Sequence, residues 1–98
     1  MVLRVVIAED SFLMREGIAT VVGLDDQLDL VATSGSYAEL VAAVDEHRPD
    51  VVITDIRMPP SQTDEGIRAA RLFRTSHPTI GVVVLSQYIE PAYALRLF

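Results

Sequence analysis

Apolar residues fall into four short runs, with stretches of helical period between them. Residues 2–8, 51–55 and 80–86 are β-branched and apolar at both odd and even positions, as in strands covered on both faces. Residues 28–33 are weaker, with Leu28, Leu30 and Ala32 on one parity and an acid at Asp29, which suits a sheet edge. Ser11 is placed to cap a first helix with Met14, Ile18, Val21 and Val22 on one face, ending at Gly23 and an Asp25–Asp26 turn. Ser36 and Glu39 have capping-box spacing and open a second helix with Leu40, Ala43 and Val44 inward, stopping before Pro49. A third starts near Thr63 or Asp64, buries Ala69, Ala70 and Phe73, and stops before Pro78. A fourth begins at Pro91 and carries Tyr93, Leu95 and Phe98. Strands alternating with helices, joined by connections too long for hairpins, predict an α/β fold with an open parallel sheet wound on both sides.

Ninety-eight residues, half of them apolar, bound the chain to one domain. A net charge of -6 argues against this segment gripping a phosphate backbone itself. The absence of cysteine removes disulfides, thiolate metal sites and a Cys nucleophile. No apolar run reaches the length of a membrane span or has the form of a secretion signal, so the expectation is a cytoplasmic protein without membrane association. All eight basic residues are Arg.

Acids end two of the strands: Glu9 and Asp10 the first, Asp55 the third, while Ser86 ends the fourth. In a doubly wound sheet these carboxyl ends share one rim, where ligands bind at the reversal of winding. The acids and Ser86 converge there if the first and third strands are neighbours; the plainer reading is that strand-end acids cap the following helices or face solvent. Three carboxylates there repel one another unless a cation joins them. An all-oxygen set favours a hard ion, so the expectation is a Mg²⁺ site, with Mn²⁺ as a substitute. A carboxylate beside such an ion is a nucleophile toward phosphorus. Asp55, on the central strand, is the candidate, with Ser86 as hydrogen-bond donor to a phosphoryl oxygen. His47 and His77, near helix ends before prolines, are expected to meet terminal carbonyls. Met58, Pro59 and Pro60 are expected to shape the loop after Asp55, and Asp25, Asp26 and Asp29 to form a solvated turn.

The segments "VVIAED", "DVVITDIRMPP" and "VVVLSQY" resemble the receiver domain of two-component response regulators. "LMREGI" and "HRPDVVITDIRMPP" further resemble the NarL/LuxR-type subfamily, whose members join a receiver to a C-terminal helix-turn-helix DNA-binding domain. The resemblance implies a flavodoxin-like, CheY-like sheet of strand order 2-1-3-4 and a phosphorylation-dependent signalling function. It makes Asp55 the phosphoacceptor, and Glu9, Asp10, Asp55 and the backbone carbonyl of Arg57 the Mg²⁺ ligands. Ser86 becomes the switch hydroxyl, and Arg57 and Tyr88 the residues that tune dephosphorylation. A sensor histidine kinase would dock near Ser11, Phe12 and Arg15. The family's fifth strand, with its Lys, and fifth helix have no counterpart, so residues 1–98 read as a receiver truncated at its C-terminus, with any DNA binding in another domain. A homodimer or strand-exchanged oligomer is expected from the edge this leaves. A haloacid-dehalogenase-type hydrolase also uses a strand-end Asp, but its second Asp is replaced here by Arg57. A phosphate-binding glycine loop has no match in the chain. The remaining alternative is a receiver-like interaction module without phosphorylation.

Overall fold

The computed structural model describes residues 2–85. In chain order its elements are β1 (Leu3–Ala8), α1 (Phe12–Gly23), β2 (Leu28–Ser34), α2 (Tyr37–His47), β3 (Val51–Asp55), α3 (Glu65–Ser76) and β4 (Gly81–Leu85). The strands form one parallel sheet of order β2-β1-β3-β4. This is the predicted doubly wound order, with the winding reversing between β1 and β3. Ser86, Tyr88 and the helix expected from Pro91, with Tyr93, Leu95 and Phe98, lie outside the described residues.

Two apolar cores explain why the central strands read as apolar on both parities. Val6 and Ala8 of β1 and Val52 of β3 join Leu40 and Val44 of α2, Ala69 and Phe73 of α3, and Met58 on one face. Val5 and Ile7 join Val22 on the other, with Ile18, Ala19, Leu28, Leu30, Val51 and Ile53 packed around them. Among the described residues one helix therefore covers one face and two cover the other. Successive side chains of a strand point to opposite faces, so a strand between two helical layers has no polar face to show.

The structure corrects the single parity expected of β2. Val5 pairs with Leu30 but Val6 with Ala32, so the register shifts by one residue. Leu28 and Leu30 stay on the α1 side, whereas Val31 and Ala32 both pack into the opposite core. A bulge is the physical reason, because one extra residue reverses the side-chain alternation beyond it.

The face assigned to α1 is also corrected. Val22 is buried and Ile18 half-buried, but Met14 and Val21 are exposed, as are Phe12, Leu13 and Leu24. At 3.6 residues per turn Met14 and Val21 fall on the flank away from Val22 and Arg15, so α1 shows an apolar outer surface.

The expected caps form. Ser11 Oγ accepts from Met14 N–H and Ser36 Oγ from Glu39 N–H, and Glu39 reaches back to Gly35 N–H at 2.7 Å. Arg48 takes the left-handed conformation that ends α2 before Pro49, and Arg4 donates to the carbonyls of His47 and Arg48. The histidine expectation is overturned. His77 Nε2 lies 3.0 Å from Asp45 Oδ1 and His47 Nε2 lies 3.8 Å from Glu46 Oε2, so both rings face carboxylates of α2. Asp25 and Asp26 are in the exposed turn, where Asp25 Oδ1 accepts from Gln27 N–H, but Asp29 belongs to β2.

Candidate functional site

β1 and β3 run side by side in register, Ala8 opposite Thr54, so Glu9, Asp10 and Asp55 emerge together from the carboxyl edge. One carboxylate oxygen from each lies within 4.8 Å of the others. Glu9 and Asp55 are buried and Asp10 is exposed. The cluster therefore has two buried acids and one at the surface. Oxygens on opposite sides of a magnesium ion are about 4.2 Å apart, twice a bond of about 2.1 Å. The 4.8 Å limit on the separation of the three carboxylates is compatible with a shared ion, and a donor set of oxygens alone suits a hard ion.

Each carboxylate has an N–H partner. Glu9 Oε1 accepts from Ser11 N–H at 3.0 Å, Asp55 Oδ1 from Ile56 N–H at 2.8 Å, and Asp10 Oδ2 from the Gln62 side-chain amide at 2.9 Å. Burial nonetheless pushes Glu9 up to about 7; the Ser11 N–H opposes this, while the charge of Asp55 and hydrogen bonds with Asp55 and Asp10 add to it. Asp55 is also raised, by burial first, although hydrogen bonds from Glu9 and from the Ile56 and Arg57 backbone pull the other way. Two buried acids side by side hold a proton between them more readily than two charges, and a cation relieves that conflict.

The loop between β3 and α3 closes the site through residues that sequence reasoning did not single out. Glu65 is fully buried. Its Oε2 accepts from Ser61 N–H and Ser61 Oγ, its Oε1 accepts from Thr63 N–H, and Arg68 pairs with it at 3.0 Å. Burial works to raise this carboxyl, but the Ser61 side chain and the backbone donors of Ser61, Glu65 and Thr63 outweigh it and hold Glu65 at about 2. Gly66 lies against β3: a Cβ there would be 1.9 Å from the Asp55 carbonyl oxygen, and its N–H donates to Ile56 O. A signal was present, since Gly in a first helical turn is a poor helix former and hints at a close approach. Met58 is buried in the core, as its loop role required, and Arg57 is exposed in the same loop.

Of the residues expected at the kinase surface, Phe12 is exposed and Ser11 half-buried. Arg15 turns inward to donate to the Glu9 carbonyl at 3.1 Å, with its guanidinium 5.9 Å from the Phe12 ring. It therefore braces the turn that carries Glu9 and Asp10.

The response regulator receiver domain model matches residues 5–98. The chain belongs to the response regulator receiver family. It is 32% identical over 90 residues to the transcriptional regulatory protein LnrK of Bacillus subtilis, covering 92% of this chain and 40% of the relative. It is 33% identical over 85 residues to the DNA-binding transcriptional activator DevR/DosR of Mycobacterium tuberculosis, covering 87% of this chain and 38% of that protein. The solved NarL signal receiver domain of Mycobacterium tuberculosis superposes with a TM-score of 0.83 at 28% identity, over 98% of this chain and 75% of that one. These relatives support the NarL/LuxR-type subfamily of the receiver. The chain spans about two fifths of the length of these two curated relatives.

Proposed function

We propose that residues 1–98 are a receiver that accepts a phosphoryl group on Asp55 from a sensor histidine kinase. In the whole protein it would be joined to a helix-turn-helix output domain that binds DNA, and the protein would work in the cytoplasm. Among the described residues no helix is long and apolar enough to cross a membrane. The observation that carries this reading is the meeting of Glu9, Asp10 and Asp55 within 4.8 Å at the point where the winding reverses.

The chemistry asked of each residue follows. An Asp55 carboxylate oxygen attacks phosphorus, the oxygen–phosphorus bond forms, and the bond to the donor's imidazole nitrogen breaks. Ile56 N–H fixes the Asp55 carboxylate through Oδ1. Glu9, Asp10, Asp55 and the Arg57 carbonyl would hold Mg²⁺ or Mn²⁺. When bound, that ion neutralises the phosphoryl oxygens and lets the buried acids be ionised together. Ser86, the residue after β4, would donate to the phosphoryl oxygen only in the phosphorylated state, so its bond biases the equilibrium toward the active form. Arg57 and Tyr88 would set how readily water reaches the acyl phosphate. Ser11, Phe12 and Arg15 would mark the kinase-facing end of α1. Self-association along β4, whose Val83 and Leu85 are partly exposed, belongs to the same reading and is checked by light scattering.

Intact mass after incubation with Mg²⁺ and acetyl phosphate tests the assignment. The wild type gains one phosphoryl group and Asp55→Asn gains none; an equal gain in both removes Asp55 from the role. Repeated turnover of a phosphomonoester would instead favour the hydrolase reading, which the Arg at position 57 argues against.

A further inference from the structure

The three acids of the pocket are not held alike. Besides the bond they share, Glu9 and Asp55 each accept from the backbone N–H of a residue one or two further on, so those backbone bonds come with the local chain. Asp10, the exposed acid, takes its bond from a side chain 52 residues away, the Gln62 amide. Its orientation therefore depends on where the β3–α3 loop is placed.

That loop is built to bring Gln62 there. Buried Glu65 gathers Ser61 and Thr63 on either side of Gln62, and Gln62 N–H donates to Met58 O at 2.9 Å. Gln62 itself has φ 58, the left-handed region that suits Gly or Asn far better than Gln. A glutamine kept in that conformation, with its amide on the exposed carboxylate of the cluster, points to a use for the side chain.

Building on the receiver reading above, we propose that Gln62 is a positioning residue: its amide holds the Asp10 carboxylate toward the pocket, so the affinity for Mg²⁺ depends on it. A neutral donor does this without adding a charge that would compete with the cation, in the manner of other outer ligand-orienting groups.

Calorimetric titration of the chain with MgCl₂, without any phosphodonor, tests it alongside chemical denaturation. Gln62→Gly accepts the left-handed backbone without strain, so it is expected to be at least as stable as the wild type while binding Mg²⁺ roughly tenfold more weakly. In a double-mutant cycle with Asp10→Asn, the effect of losing Gln62 should largely vanish. Wild-type affinity in Gln62→Gly, or full additivity in the cycle, overturns the proposal and leaves the receiver reading standing if the wild type is still phosphorylated on Asp55. A wild type that neither binds Mg²⁺ nor gains a phosphoryl group brings down both.

Discussion

Gly66 shows how far a single side chain can reach into the site. Its Cα faces the Asp55 carbonyl so closely that an added methyl group would meet it at 1.9 Å, and the obstacle is backbone, which cannot rotate away. Gly66→Ala must push the first turn of α3 off β3. The expected destabilisation is on the order of 1–3 kcal/mol or more, read from the denaturation midpoint, together with slower phosphorylation from acetyl phosphate. Unchanged stability would mean that the helix start is less tightly held than this contact implies. Asp55 itself was legible in the sequence because a carboxylate ending an apolar strand is anomalous. Gln62 was not, because its partner Asp10 is 52 residues away; Gly66 left only the hint of a poor helix former in a first turn, and the burial of Glu65 follows from how the loop packs.

At the scale of elements, the sheet carries the functional residues and the helices keep it dry. α3 contributes one fully buried aromatic, Phe73, to the core shared with Val6, Val52 and Leu40, and its ring meets His77 edge-on at 6.1 Å. Truncating such a residue removes transfer free energy and leaves a cavity, so Phe73→Ala is expected to cost roughly 3–5 kcal/mol. Urea titration checks this. A cost below 1 kcal/mol would show that the α3 layer can collapse onto the gap. Hydrophobic period and capping signals made all seven described elements readable. The bulge in β2 and the exposed outer face of α1 escaped that reading, since one is an insertion relative to a neighbouring strand and the other depends on which flank meets the sheet.

For the whole molecule, the acid pocket and the loop box respond to pH in opposite senses. Glu9 is raised from 4.5 to about 7, so its contribution is fully present below 4.5 and lost as pH rises through about 7. Glu65 is lowered to about 2, so its contribution is present above 4.5 and lost as pH falls toward 2. Their combined contribution peaks near pH 4.5. Magnesium needs the carboxylates deprotonated, so its stabilising effect should grow as pH rises through about 7, reaching about 2.7 kcal/mol at a hundredfold excess over Kd. Thermal melts at pH 5 and 8, with and without MgCl₂, check this; an equal magnesium effect at both would contradict it. By itself the sequence determined the alternation of strands and helices, the doubly wound class and the acids at strand ends, because local period and residue type encode them. Only tertiary structure decided that β1 and β3 are in register, that two acids are buried and one exposed, and that Gln62 meets Asp10. Those facts arise from strand pairing and loop placement between segments distant in the chain, where no local pattern records the partner.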